Sequence, residues 1–155
     1  NLDEAPYHPS GYMGDTEAIK QDLKSREQPH SGETCLRVDF KKTDGWGGVV
    51  WQHPPSDWGD QPGGFDLTGA KSLSFWARGS AGGEKVKFMV GLIGPDKPFH
   101  DSVKMEFEVV LTADWKRYAF DLVGQDLSRL KSGFSWTVAG QGRELTFFLD
   151  DIVVE

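Results

Sequence analysis

The sequence contains a single cysteine, Cys35, among its 155 residues. One thiol cannot form an internal disulfide, and it excludes thiolate-rich zinc and iron–sulfur sites. No apolar stretch approaches the roughly 18 residues that a membrane-spanning helix needs, so we expect no membrane partner. Basic residues are also few, because 17 Lys and Arg stand against 24 Asp and Glu, giving a net charge of -7. Since Lys and Arg carry the affinity for phosphate backbones, this balance argues against a nucleic-acid partner.

The usual catalytic signatures are missing as well. The sequence has no G-x-S-x-G elbow, Walker loop, H-E-x-x-H pair or dinucleotide-binding glycine fingerprint, and its four histidines are scattered among loop-type segments. A glycosidase needs two opposed carboxylates, but 24 acidic residues always offer pairs, so their presence discriminates nothing. The sequence therefore predicts a protein that is not an enzyme.

What the chain does have is short, alternating apolar and polar runs separated by glycine. In residues 34–40, for example, Leu36, Val38 and Phe40 face one way, while Arg37 and Asp39 face the other. Such alternation is typical of strands with one buried face, and glycine-rich turns between them indicate an antiparallel β-sandwich. The predicted strands are residues 34–40, 48–53, 71–78, 85–93, 103–111, 115–122, 133–138 and 145–154.

Only two segments are compatible with a helix. Residues 15–24 place Ile19 and Leu23 four positions apart behind a possible Asp15 cap, and we leave this segment open as strand or helix. Residues 126–130 are predicted to form a turn. No internal repeat or low-complexity linker divides the chain, so residues 1–155 are predicted to form one all-β domain, an antiparallel jelly-roll sandwich. Because the sequence begins at Asn1 without Met or a signal peptide, we expect a processed chain or a part of a larger multidomain protein.

The segment from residue 45 to 60 is the richest in candidate functional side chains. It holds three tryptophans within thirteen positions, Trp46, Trp51 and Trp58, two of them beside glycine. An indole in a turn favours sugar binding, because the C–H-rich face of a pyranose stacks on the ring while polar side chains bind the hydroxyls. The polar candidates in the same segment are Gln52, His53, Asp57 and Asp60. The alternative is that these indoles fill the core, and Trp51 is the one best suited to do so.

Further candidates follow from alternation in the next strands. Trp76 and Arg78 lie opposite the core face of their strand, where Trp76 either lines a concave surface or is covered by a loop. Lys87 shares the outer face of its strand with Met89 and Gly91, which would leave room for a groove. His100 and Asp101 form a polar turn nearby that could reach sugar hydroxyls. Trp115 and Trp136 belong to apolar strand patterns and are predicted to be core residues.

A hard cation such as calcium is a second possibility, because its oxygen ligands can come from several segments. The acidic candidates are Asp15, Glu17, Glu33 and the Asp150–Asp151 pair. No EF-hand spacing is present. We expect at most one structural calcium, for which Asp15, Glu33 and Asp150 are the candidate ligands, and the residues alone leave this site open.

Four motifs in order give the chain a resemblance to a known family. Residues 31–38 (SGETCLRV), 67–79 (LTGAKSLSFWARG), 114–118 (DWKRY) and 147–152 (FFLDDI) resemble strand motifs of β-jelly-roll carbohydrate-binding modules of the galactose-binding-like type, in particular family 11 and family 4 modules. The resemblance covers most of residues 30–155. The segment at residues 7–15, with Tyr7 and Tyr12, has no counterpart, and these rings either extend a binding platform or cover a sheet edge.

The resemblance implies a non-catalytic module with an aromatic-lined groove across one sheet, and often a structural calcium held partly at the positions of Asp150 and Glu33. Its partners would be a polysaccharide or oligosaccharide, with a neutral β-glycan favoured by the acidic charge, and a tethered catalytic domain of a secreted or cell-surface bacterial glycoside hydrolase. Two other readings stay open: a structural or protein-interaction sandwich with all its indoles buried, and a small glycan-cleaving enzyme.

Overall fold

A computed structural model describes residues 7–155 and contains ten β-strands. Their alternating apolar residues and the glycine-containing connections between them account for the short, regular spacing. The strands are β1 (His8–Gly14), β2 (Ile19–Ser25), β3 (Cys35–Phe40), β4 (Trp46–Gln52), β5 (Ser72–Gly79), β6 (Lys85–Val90), β7 (Met105–Val110), β8 (Lys116–Asp121), β9 (Ser132–Ala139) and β10 (Leu145–Val154).

The strands form two five-stranded antiparallel sheets. Sheet A has the order β1-β4-β9-β6-β7, and sheet B has the order β2-β3-β10-β5-β8. Neighbours in each sheet are mostly distant in sequence, so residues from the two halves of the chain meet side by side. The predicted all-β antiparallel sandwich is therefore confirmed. No helix within residues 7–155 has the length and apolar character required to cross a membrane.

The core lies between the sheets and is built from the inward-facing residue of each alternating pair. Phe75 of sheet B packs against Phe88 and Phe134 of sheet A, with ring centroids 4.5 and 5.0 Å apart. Two indoles are sealed in the same layer, Trp51 at 1% exposure and Trp136 at 0%. Neither indole N–H has a hydrogen-bond partner in the described part of the chain, so shape rather than polar contact holds these rings in place.

The two ambiguous segments resolve into strand and turn. Residues 15–24 contain a short 3-10 turn at Thr16–Ala18 followed by β2, which pairs with β3. The pairing of β2 with β3 supplies hydrogen bonds that an isolated amphipathic turn could not match. Residues 126–130 form the predicted turn, in which the Asp126 carboxylate accepts the Ser128 N–H at 3.0 Å.

Three aromatic residues extend or correct the sequence expectations. Tyr7 is buried, its hydroxyl donating to the Leu130 carbonyl at 2.7 Å, and Tyr12 accepts a hydrogen bond from Gln21 of the facing sheet edge at 2.9 Å. Both therefore close the sandwich edge. The prediction that Trp115 is a core residue is wrong. It lies half-buried just before β8, outside the core, and donates its indole N–H to the Gln28 carbonyl at 2.8 Å.

Candidate functional site

The outward-facing residues of sheet A line up in rows across the strands. One such row crosses all five strands of sheet A, and each of its residues pairs with the next. In the order β1, β4, β9, β6 and β7, its members are Met13, Gly48, Thr137, Lys87 and Glu108. From β4 to β7 such a row spans three strand spacings, or about 14 Å. The face is therefore long enough to contact a short oligomer rather than a single small molecule.

A groove of about 350 Å³ lies on this face, at the end where β4 and β6 begin and β9 ends. Its floor is formed by small side chains of β9, and its sides by a tryptophan, two lysines and a glutamate. The groove is lined by Trp46, Lys85, Lys87, Glu108, Thr137, Val138, Ala139, Gly140 and Gln141.

Trp46 is the most exposed indole of the molecule, with 48% of its surface accessible. Asp15 fixes its backbone, because the Asp15 carboxylate accepts the Trp46 N–H at 3.0 Å and the Trp46 carbonyl accepts the Asp15 N–H at 2.8 Å. Gly14 leaves room for the ring, since a Cβ there would lie 2.9 Å from its Cδ2. The pKa of Asp15 is lowered, first by the hydrogen bond from Lys42 and then by the hydrogen bond from the Trp46 N–H. Asp15 therefore stays ionised and keeps its bond to the Trp46 backbone. The indole is thus presented to solvent from a fixed backbone.

The opposite end of the same face is covered. Val50, Met89 and Ser135 face outward on sheet A but are buried. The 53–64 loop folds over this end, because the buried Gln52 amide donates to the Asp57 carbonyl at 3.0 Å and accepts from the Ser10 hydroxyl at 2.8 Å. Apart from Glu106 at the edge strand β7, the exposed part of this face therefore consists of the row of Lys87 and the row of Trp46.

Two buried carboxylates tie the covering loops to the sheet. Asp57 forms an ion pair with the fully buried Lys131 and accepts the N–H groups of Gly59 and Gln61 at 3.1 Å each. Burial opposes ionisation of Asp57, but the hydrogen bond from Lys131 and these N–H groups outweigh it, so its pKa lies below the ordinary value. Asp101 accepts four backbone N–H groups, those of Leu92, Ile93, Lys131 and Ser132.

Most of the polar candidates predicted near Trp58 stabilise these loops. His53 accepts the Gly64 N–H at 3.0 Å and packs on Phe65, and Asp60 forms an ion pair with Lys97 at 3.1 Å. His100 contacts the Lys97 carbonyl and Arg129. Trp58 itself is half-buried in the 53–64 loop, at the opposite end of sheet A from Trp46. Among the polar side chains predicted to contact a ligand, Gln52 and Asp101 are buried, so we withdraw them as ligand contacts.

Trp51 is withdrawn for the same reason, because a ring enclosed in the core has no face open to a sugar. Trp76 and Arg78 lie on the outer face of sheet B, away from the groove. His30 covers Trp76, its ring stacked on the indole with a centroid distance of 3.7 Å. Arg78 is buried with its guanidinium 3.8 Å from the Phe148 ring centre. The alternative that a loop covers Trp76 is therefore the one observed.

The three predicted calcium ligands are not brought together. Asp15 precedes β2, whose first residue pairs with Phe40, whereas Asp150 lies at the other end of β3, beyond the pairing of Leu149 with Leu36. The Asp150 carboxylate accepts N–H groups of His30, Ser31 and Asp151, and Asp15 holds Lys42 and Trp46. Glu33 is exposed. Residues 7–155 contain no group of three or more His, Cys, Asp or Glu side chains arranged to hold a metal. These residues therefore do not fit a single shared ion.

The groove thus retains Trp46 and Lys87 from the predicted contacts and adds residues that sequence reasoning missed. Glu108 is the main omission. Alternation along residues 105–110 does place it outward, but only the pairing of β6 with β7 sets it opposite Lys87. Thr137 and Ala139 were missed for the same reason. They line the groove because β9 lies at the centre of sheet A, which the sequence does not show.

The fold is similar to that of several solved carbohydrate-binding modules. The family 30 module of the cellulosomal cellulase Cel9D-Cel44B of Clostridium thermocellum superposes with a TM-score of 0.67 at 15% identity, covering 96% of this chain and 92% of that one. A family 11 module of Clostridium thermocellum, in complex with a β-1,3-1,4-mixed-linked tetrasaccharide, gives 0.56 at 16% identity, covering 92% and 85%. The module TmCBM61, in complex with β-1,4-galactotriose, gives 0.54 at 18% identity, covering 97% and 88%.

These identities establish the fold alone. The chain has the β-sandwich fold of carbohydrate-binding modules, and the resemblance to family 11 and family 4 modules is confirmed at the level of structure. Comparison with family models and with curated protein sequences finds no match.

Proposed function

We propose that the protein is a non-catalytic carbohydrate-binding module that holds a neutral β-glycan chain in the groove of sheet A. The observation that carries this proposal is the exposed, backbone-clamped indole of Trp46 at the side of the groove. A pyranose ring stacks its C–H face on such an indole, and the groove supplies charged and hydroxyl groups for its hydroxyls.

The make-up of the groove also favours binding over cleavage. A glycosidase places two carboxyl groups on opposite sides of the scissile bond, whereas Glu108 is the one acidic residue among the described side chains that line the groove. Stacking on one indole contributes about 1 kcal/mol beyond area burial. We therefore expect a modest affinity for a single module.

In this proposal the module acts by targeting. Binding to polysaccharide holds a tethered catalytic domain near its substrate and raises its effective concentration there. The protein would act at the bacterial cell surface or in the extracellular medium, in line with the cellulosomal cellulase that carries the similar family 30 module.

The proposal is tested by affinity electrophoresis in gels that contain hydroxyethyl cellulose or galactan. Wild-type protein is expected to be retarded relative to a polysaccharide-free gel. Trp46→Ala removes the stacking surface and should lower the association constant by about fivefold to tenfold, in line with about 1 kcal/mol for one aromatic contact.

Trp58→Ala is the matched control, because it removes a second indole from the loop at the covered end of the face. Retardation that survives in Trp46→Ala, with the fold intact by circular dichroism, would remove the groove from the binding site. If wild-type protein is not retarded in these gels and binds no glycan on a broad glycan array, a structural or protein-interaction domain is favoured instead.

A further inference from the structure

Lys87 and Glu108 face each other across β6 and β7 without forming an ion pair. They are direct cross-strand partners and both line the groove. Opposite charges at such positions usually attract each other. Yet among the residues that the structure describes, neither side chain has an ion-pair or hydrogen-bond partner. The Lys87 ammonium and the Glu108 carboxylate are therefore both available to a ligand.

The neighbouring polar side chain of the groove is not free. Gln141 accepts the Lys85 N–H at 3.0 Å and donates to the Lys85 carbonyl at 2.9 Å and the Ala139 carbonyl at 3.3 Å. Its amide is used in holding the rim to β6 and β9. The groups in this groove that remain available to a ligand are thus the ammonium groups of Lys85 and Lys87, the Glu108 carboxylate and the Thr137 hydroxyl. Of the two lysines, Lys87 is the one that stands directly opposite Glu108.

The Lys87 and Glu108 groups have complementary hydrogen-bonding properties. A carboxylate only accepts, through two oxygens, and an ammonium only donates, through three N–H bonds. Two adjacent sugar hydroxyls can donate to the two oxygens of one carboxylate, and their own lone pairs remain available to the ammonium. Charge-assisted hydrogen bonds of this kind are about twice as strong as neutral ones.

We propose that Lys87 and Glu108 together bind a vicinal diol and thereby select 1,4-linked over 1,3-linked β-glycans. An internal 1,4-linked pyranose keeps its adjacent 2- and 3-hydroxyls, whereas an internal 1,3-linked pyranose has its O3 in the glycosidic bond and keeps no adjacent pair. A 1,3-linked oligosaccharide therefore offers a vicinal diol only at its chain ends. This selection rests on the proposed function of the groove, and it adds the linkage class that the groove accepts.

Isothermal titration calorimetry with cellotetraose and laminaritetraose tests the selection. Wild-type protein should bind the 1,4-linked tetrasaccharide at least tenfold more tightly than the 1,3-linked one, a difference of about 1.4 kcal/mol. Glu108→Gln leaves one acceptor oxygen in place of two. It should weaken cellotetraose binding about tenfold and change laminaritetraose binding little, so that the preference disappears. Lys87→Met, which keeps a flexible apolar chain, should reduce the preference in the same direction.

Glu106→Gln is the matched control. Glu106 lies on the same strand and the same face, carries the same charge and stands outside the groove, opposite Met89. It should leave both affinities unchanged. Equal effects of Glu106→Gln and Glu108→Gln, or equal wild-type affinity for the two tetrasaccharides, would overturn the diol proposal while leaving the groove as a glycan site. Binding of neither tetrasaccharide by wild-type protein would overturn the proposed function as well.

Discussion

Lys131 is a fully buried cation immediately before β9. Its ammonium is paired with the Asp57 carboxylate and donates to the Gln61 carbonyl. Taking such a charge out of water costs several kcal/mol, and the cost is offset only when the partner and its hydrogen bonds are in place. The Lys131–Asp57 pair is therefore one of the contacts that hold the 53–64 loop over the end of sheet A.

Asp57→Asn tests this arrangement. It leaves the Lys131 ammonium buried without a counter-charge and should lower the free energy of unfolding by about 3 to 5 kcal/mol, measured by urea denaturation. The double variant Asp57→Asn with Lys131→Met removes the uncompensated charge and should recover most of that loss. A double variant no more stable than Asp57→Asn would show that the pair is not the cause.

The same pair makes stability depend on pH. The pKa of Asp57 is lower in the folded protein than its ordinary value of 3.8, so the unfolded chain takes up its proton first. The stabilisation by ionised Asp57 is then present above pH about 4 and is lost as the pH falls through the folded pKa. In Asp57→Asn this contribution to the acid sensitivity of unfolding should be missing.

The 26–34 loop, between β2 and β3, is an element that covers the part of the outer face of sheet B around Trp76. His30 stacks on Trp76 and contacts the Asp151 carboxylate at 2.7 Å, and the loop backbone donates to Asp150. The loop therefore occupies the surface that a glycan would need in order to reach Trp76. The carboxylates at the end of β10 act here as anchors for the loop.

Trp76→Ala is accordingly expected to change stability and to leave binding alone. Loss of the stacked pair should lower the free energy of unfolding by about 1 to 3 kcal/mol, with glycan affinity equal to wild type by calorimetry. His30→Ala removes the other half of the pair and should give a smaller loss of stability, again with unchanged binding. A clear loss of affinity in either variant would place part of the binding surface on sheet B.

At the scale of the whole molecule, the two sheets sort the six tryptophans into distinct environments. Trp51 and Trp136 are in the core, Trp58, Trp76 and Trp115 are half-buried, and Trp46 is exposed. Acrylamide quenching should therefore detect a fluorescence component that Trp46→Phe removes and that saturating β-1,4-glycan protects. Trp136→Phe should leave the quenchable component intact. Protection of all six indoles in the free protein would contradict the groove.

The sequence allowed the fold to be predicted well, because period-2 alternation and glycine turns are local signals. The strands beginning at Cys35, Ser72 and Leu145 lie close to their predicted bounds. Two strands were not predicted as such. The HPSGYMG segment of β1 alternates poorly and forms a strand because β4 pairs with it, and β2 lies in the segment that was left open as strand or helix. Trp115 was misassigned because it sits one residue before β8, where alternation no longer decides its direction.

The residues of the candidate groove were predicted only in part. Alternation correctly placed Lys87 and Met89 on an outer face, and the glycines beside Trp46 led to the selection of an indole that the structure leaves exposed at the groove. The same sequence reasoning also selected Trp51, whose ring faces the core. It selected Gln52 and Asp101 as well, because sequence does not distinguish an open loop from one folded over a sheet. By itself, the sequence determined two layers of antiparallel strands and an acidic, cysteine-poor chain, since these follow from composition and local period. Only the tertiary structure decided that Trp46, Lys87 and Glu108 share one groove, because strands distant in sequence are neighbours in sheet A and their register is set by pairing across the whole chain.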